Sequence, residues 1–182
     1  MIGLQTYNLT THWRLHGELM AVWEILSNPH QWPEWWHYVE QVSMECPGDD
    51  IGVGAIHVHR WKTCLPYRLQ FTLETTRTKI PSFVETKVTG DLQGIGRCRL
   101  RAAGQVTLVR FDWHVHTTKY WMNLLAPIAR PVFIWNHARV MSAGEKALQA
   151  LLFCQPSVCA SAEITSSYSK SDFGGGAWRH SK

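Results

Sequence analysis

The sequence has few charged residues, and those it has are not clustered by sign. Among 182 residues, Lys, Arg, Asp and Glu together make up 18%, and the net charge is +4. Nucleic-acid-binding domains concentrate Lys and Arg on one face or helix, so this pattern predicts no nucleic-acid partner. Ten tryptophans are present instead. Such bulky rings often line a cavity or a contact surface.

Patterns typical of secretion or membrane insertion are also lacking. The first residues contain no apolar run preceded by Lys or Arg, so we expect no signal peptide. The most apolar stretch, Leu124 to Trp135, contains Arg130 and two prolines and is too short to span a bilayer. We therefore expect a cytoplasmic protein without a transmembrane segment.

Cysteine pairs and common catalytic motifs are absent too. The five cysteines are an odd number with no Cys-x-x-Cys pair, which favours free thiols over a disulfide framework or a zinc site. The chain has no Gly-x-Ser-x-Gly elbow, P-loop or His-Glu-x-x-His motif. We expect no cofactor and no bound metal.

Apolar periodicity predicts a strand at Asn8–Leu15, a helix at Gly17–Leu26 and a second short helix within Pro29–Val39. The period then changes to two, and six strands are predicted at Val39–Cys46, Ala55–Lys62, Tyr67–Thr78, Ser82–Thr89, Asp91–Arg101 and Val106–His116. Short connections between them indicate an antiparallel meander. A long helix follows from Tyr120 to Phe153, with a bend or break expected at Pro127 and Pro131.

This order of elements predicts an α+β fold. We expect a curled antiparallel sheet of about seven strands around the long C-terminal helix, with two short helices after the first strand. Residues 1–153 form the predicted domain. Residues 154–182 are rich in Ser and Gly, and we expect this tail to be disordered.

Several segments resemble the START-like, helix-grip superfamily, within its SRPBCC or polyketide cyclase/dehydrase-like group. The resemblance covers about residues 5–153 and depends most on the long-helix segment. The segments that support it are Val22-Trp23-x-x-Leu26-Ser27-Asn28-Pro29, Trp32-Pro33-x-Trp35, Leu65-Pro66-Tyr67, Gly90-Asp91-Leu92-x-Gly94-x-Gly96, Thr117 through Pro127, and Trp135-Asn136-His137. It implies a helix-grip fold and an internal pocket for an apolar small molecule or lipid. It implies no particular reaction, since fold does not fix function.

Aromatic residues on the predicted inner face of the sheet, with residues of the long helix, are the candidate ligand-binding set. They are expected to surround one void between sheet and long helix, although a solid core without a ligand is the alternative. The set is Trp13, Tyr67, Phe71, Phe111, Trp113, Trp121, Trp135, Asn136, His137 and Val140.

Histidines provide the other candidate chemistry. His114 and His116 share a strand face with Arg110 and Asp112, which predicts the outer face. The pattern does not decide whether His57 and His59 point inward or outward. His137 is the one candidate for acid–base catalysis, because an imidazole titrates near neutral pH and this one falls on the pocket helix. A purely structural role for His137 is the alternative.

The sequence is compatible with three functions. The first is the binding of a hydrophobic or aromatic small molecule or lipid in an internal cavity. The second is catalysis by a cyclase- or dehydratase-like lyase that acts on a polyketide or aromatic substrate with acid–base residues in the same cavity. The third is a protein-interaction module of the same superfamily, with an exposed apolar groove.

Overall fold

A computed structural model of the chain describes residues 6–118 and 120–154. For residues 120–129 it describes the helical backbone but not the side chains. The chain divides into two compact units, Met1–Leu152 and Phe153–Lys182. The first unit holds all the sites discussed below. Of the predicted disordered tail, Cys154 is helical, and residues 155–182 fall outside the described residues.

Seven antiparallel strands form one sheet in the order β1-β7-β6-β5-β4-β3-β2. From β2 to β7, each strand pairs with the next strand along the chain, as the short connections predict. Strand β1 pairs with β7 and so lies at one edge of the sheet. The predicted strands are confirmed. The strands are β1 Thr6–His16, β2 Val39–Cys46, β3 Ile56–Lys62, β4 Arg68–Lys79, β5 Phe83–Gly90, β6 Leu92–Ala103 and β7 Val106–Thr117.

Two short helices and one long helix complete the fold. Helix α1 spans Leu19–Leu26, and a 3₁₀ turn at Pro29–Gln31 leads into the single-turn helix α2, Trp32–Trp35. Helix α3 spans Tyr120–Cys154 as one continuous element, so the break expected at the prolines is absent. Pro131 lies on the exposed side of α3, where water can bind the carbonyl that proline leaves without a donor. No helix among the described residues is long and apolar enough to cross a bilayer.

A close contact joins α3 to the segment after α2. The Trp36 side chain is 1% exposed, and its indole N–H donates to the carbonyl of Val140 at 2.9 Å. A Cβ at Gly144 would lie 2.4 Å from the Trp36 ring, far inside van der Waals contact. Only glycine therefore lets α3 approach this ring so closely, and the contact fixes α3 over one end of the sheet.

Candidate ligand-binding site

Strand alternation places one row of side chains on the inner face of the sheet. On β3 this row is His57, His59 and Trp61, and their cross-strand partners on β4 are Leu73, Phe71 and Leu69. On β7 it includes Phe111 and Trp113, whose rings also face inward. These residues meet because side chains two positions apart on a strand share a face.

The inner face bounds a cavity of about 300 Å³. It lies under α1, the 3₁₀ turn and the β2–β3 connection, rather than under α3. Most of its lining is apolar or aromatic, with His57 and His59 on one wall. This volume reaches the lower end of the range typical of small-molecule sites, about 300–1,000 Å³. We call it the larger cavity. Its apolar lining includes Trp23, Leu26, Trp32, Ala55, Trp61, Phe71, Leu73, Val84, Leu100, Phe111 and Trp113.

A smaller cavity of about 110 Å³ lies under α3. Its position between the sheet and the long helix is the one at which the sequence predicts a void, but it is too small for most drug-sized ligands. The lining of the smaller cavity includes Tyr7, Leu9, Leu69, Val115, Phe133, Val140 and Met141, together with Tyr67, Asn136, His137, Trp61, Phe71 and Trp113.

Three aromatic rings line both cavities and divide one from the other. The ring centroids of Trp61 and Phe71 are 5.9 Å apart, and those of Phe71 and Trp113 are 6.1 Å apart. The expectation of a single void surrounded by all the candidate residues is therefore not met. Phe111 lines only the larger cavity, and Tyr67 lines only the smaller one. The rings occupy the centre of the curled sheet, where side chains from β3, β4 and β7 converge.

The histidines of β3 point inward, which settles the orientation that the sequence left open. His59 is fully buried and His57 is 9% exposed. Burial, with a smaller contribution from the nearby His57, lowers the pKa of His59 to about 3. Burial also lowers the pKa of His57, with a further contribution from His30. Both imidazoles are therefore neutral near pH 7.

The polar contacts of His59 define its tautomer. The indole N–H of Trp61 donates to His59 Nδ1 at 3.3 Å. Because an indole can only donate, Nδ1 must be the acceptor, and the neutral ring carries its proton on Nε2. No partner for Nε2 lies within hydrogen-bonding distance among the described residues. The same holds for Trp32 Nε1 and Thr78 Oγ1, and both residues also line the larger cavity.

The polar side chains of the smaller cavity are mostly bound to protein. The backbone N–H of Cys64 donates to Asn136 Oδ1 at 2.8 Å, and His137 Nε2 lies 3.2 Å from Thr11 Oγ1. Burial lowers the pKa of His137 to about 4 and raises that of Tyr67 to about 12. These contacts join α3 to the sheet and to the β3–β4 loop, so they serve the fold directly.

Three sequence candidates lie away from both cavities or outside the described side chains. Trp13 is 1% exposed and packs against Trp36 and Phe111, so it is a core residue. Trp135 is 50% exposed and lies under the guanidinium of Arg139. One residue along a helix is a rotation of about 100°, which moves Trp135 off the face that carries Asn136. The side chain of Trp121 is not described.

Other polar groups lie on the outside. His114 is on the outer face, as predicted, with Nδ1 2.9 Å from Asn8 Oδ1. A surface depression of about 850 Å³ beside α2 is lined mainly by polar and charged residues, including Glu40 and Arg68, which form an ion pair at 2.8 Å. Such a lining does not suit an apolar ligand. Within the described residues, no group of three or more His, Cys, Asp or Glu could hold a metal ion.

Comparisons with known proteins bear on the fold. No family model matches the chain, and no curated protein sequence matches it. Solved structures do match. A START superfamily protein from Mycobacterium smegmatis has a TM-score of 0.65 at 13% identity, over 80% of this chain and 96% of that one. The chain has the START-like, helix-grip fold.

Two further solved structures share the fold with different printed descriptions. The Zhui aromatase/cyclase from Streptomyces sp. R1128 has a TM-score of 0.64 at 12% identity, over 81% of this chain and 94% of that one. Ginseng major latex-like protein 151 from Panax ginseng has a TM-score of 0.55 at 14% identity, over 79% of this chain and 99% of that one. At these identities the likeness establishes the START-like fold alone.

Proposed function

We propose that the protein binds an uncharged, largely apolar aromatic small molecule in the larger cavity. The observation that carries this proposal is the volume of about 300 Å³ with its mainly apolar and aromatic lining. Well-packed interiors leave few voids larger than a water molecule, so a space of this size is unusual for a core that holds no ligand.

Catalysis is the second candidate function, and two observations favour considering it. Three imidazoles line the cavity, those of His30, His57 and His59, and one solved structure with this fold is described as an aromatase/cyclase. Against it, His59 has its pKa lowered to about 3, and an efficient general base titrates near the working pH. His137, the residue singled out by sequence, lines the smaller cavity instead. Binding is therefore the better supported function.

A matched pair of variants tests the proposal. Leu69 and Leu73 lie on the same face of β4, one on each side of Phe71, and each lines a different cavity. Leu73→Trp should obstruct the larger cavity, whereas Leu69→Trp should narrow only the smaller one. The probe is N-phenyl-1-naphthylamine, an uncharged aromatic amine whose fluorescence rises in apolar surroundings.

We expect saturable binding by the wild type, at least tenfold weaker binding by Leu73→Trp, and a change of no more than about threefold in Leu69→Trp. Thermal unfolding of both variants confirms that each is folded. Saturable binding of the probe by Leu73→Trp with wild-type affinity would contradict the proposal, as would a non-saturable response from the wild type.

A further inference from the structure

Two residues that line the larger cavity carry buried donors without a partner among the described residues, and such donors favour a ligand with an acceptor. His59 Nε2 and Trp32 Nε1 are both buried N–H groups without a partner among the described residues. Their rings are neighbours, with centroids 5.6 Å apart. A buried donor left without an acceptor costs about 1–3 kcal/mol. A ligand oxygen that accepts from either group would remove that cost.

The titratable groups around the cavity favour a neutral oxygen over a charged one. His57 and His59 are uncharged near pH 7, because burial lowers the pKa of both. Burial also raises the pKa of the Cys98 thiol to about 12, so this lining residue is uncharged as well.

Fixed charge is present in the lining but is already paired. The guanidinium of Arg97 donates from Nε to Glu85 at 2.6 Å. His30, also in the lining, is exposed at the outer end of the imidazole row, with its ring 6.4 Å from that of His57. A carboxylate placed beside His59 would therefore be desolvated without a cation in contact, which is strongly unfavourable.

We propose that the larger cavity selects ligands whose enclosed end carries a neutral oxygen acceptor, such as a ketone, bound by the Nε2–H of His59 with the Trp32 N–H beside it. This inference rests on the proposed function and narrows it to one ligand chemistry. It places the polar end of the ligand at β3 and its hydrocarbon part against Phe71, Phe111 and Trp113. Carboxylates of the same shape are excluded by the cost of desolvation.

Three probes of nearly equal shape separate these possibilities. They are 2-acetylnaphthalene with a ketone, 2-isopropylnaphthalene with no polar group, and 2-naphthoate with a carboxylate. Affinities are measured by calorimetry at pH 7 for the wild type, for His59→Phe and for a control, His114→Phe. His114 lies on the outer face of the sheet, so the control makes the same replacement away from the cavity.

We expect His59→Phe to weaken 2-acetylnaphthalene binding by about tenfold relative to its effect on 2-isopropylnaphthalene. Comparing these two changes cancels the different solubilities of the probes. The control should alter neither affinity, and 2-naphthoate should bind more weakly than the ketone. Equal effects on ketone and hydrocarbon would overturn the inference while leaving the proposed function intact. Tighter binding of 2-naphthoate would overturn it too.

A second measurement uses only the wild type, in case His59→Phe does not fold. In a nitrogen-15 NMR spectrum of the histidine rings, the Nε2–H signal of His59 should move on addition of 2-acetylnaphthalene. It should move much less with 2-isopropylnaphthalene. An unmoved signal on saturation with the ketone would contradict the assignment. Failure of all three probes to bind would instead overturn the proposed function, and the inference with it.

Discussion

The larger and smaller cavities lie on opposite sides of the same three rings, yet their polar groups are bound very differently. In the smaller cavity, Asn136 and His137 contact the protein itself. In the larger cavity, polar atoms of His59, Trp32 and Thr78 have no partner among the described residues. The Tyr7 hydroxyl is the exception in the smaller cavity, since it is also unpartnered there.

This difference separates a structural interior from a candidate binding site. Polar groups that hydrogen-bond across elements hold the fold together and leave little for a ligand to satisfy. Buried polar groups without partners are rare in native proteins, and each one calls for an explanation. Three of them belong to residues that line one cavity of sufficient volume, which is why we propose an occupant that contributes acceptors.

The largest expected effect is the loss of stability at low pH that the buried imidazole of each cavity causes. His59 and His137 have folded-state pKa values of about 3 and about 4, against 6.5 in an unfolded chain. Between those values the unfolded state binds more protons, so stability falls as pH falls below about 6.5. By pH 4 the loss reaches on the order of 3 kcal/mol for each group, since one pKa unit corresponds to about 1.4 kcal/mol.

Chemical denaturation at a series of pH values measures this slope. His59→Phe and His137→Phe should each flatten the decline between pH 6.5 and 4, whereas His114→Phe should leave it unchanged. A wild-type slope in His59→Phe would show that water reaches this imidazole, and the contrast between the cavities would then lose its basis.

A smaller effect on the free energy of unfolding is expected when a polar group with a partner and one without are each replaced. Asn136→Leu removes the acceptor of the Cys64 N–H, so we expect the free energy of unfolding to fall by about 1–3 kcal/mol. Thr78→Val removes a hydroxyl that has no partner among the described residues. Its expected effect is within about 0.5 kcal/mol, or slightly stabilising. Equal losses in both variants, measured by urea denaturation, would mean that the Thr78 hydroxyl is also bound.

Local patterns predict most of the fold because most strands alternate clearly and the turns between strands contain Gly, Pro or Asp. The alternation on β4 and β7 correctly places Phe71, Phe111 and Trp113 on the inner face. On β3 the pattern is ambiguous, because Ile56 and Val58 are apolar and His57 and His59 are polar. Here the register with β4, which pairs His59 with Phe71, decides the orientation. That information comes from long-range pairing and is not in the strand itself.

The division of the interior into two cavities is likewise a tertiary effect. It depends on how the rings of Trp61, Phe71 and Trp113 meet at the centre of the sheet, and no spacing within one strand encodes this. The cover of the larger cavity by α1 and Trp32 has the same origin. The sequence predicts the short helices and their tryptophans, and Trp32 is among the residues that line the larger cavity.

We propose the larger cavity, and not the smaller one, as the site that holds the ligand. Intermolecular NOEs between N-phenyl-1-naphthylamine and the leucine and valine methyl groups of the wild-type protein test this most directly. Leu26 and Leu73 line only the larger cavity, whereas Leu69 and Val140 line only the smaller one. We expect NOEs from the probe to Leu26 and Leu73 and none to Leu69 or Val140. NOEs to Leu69 and Val140 without any to Leu73 would contradict the claim.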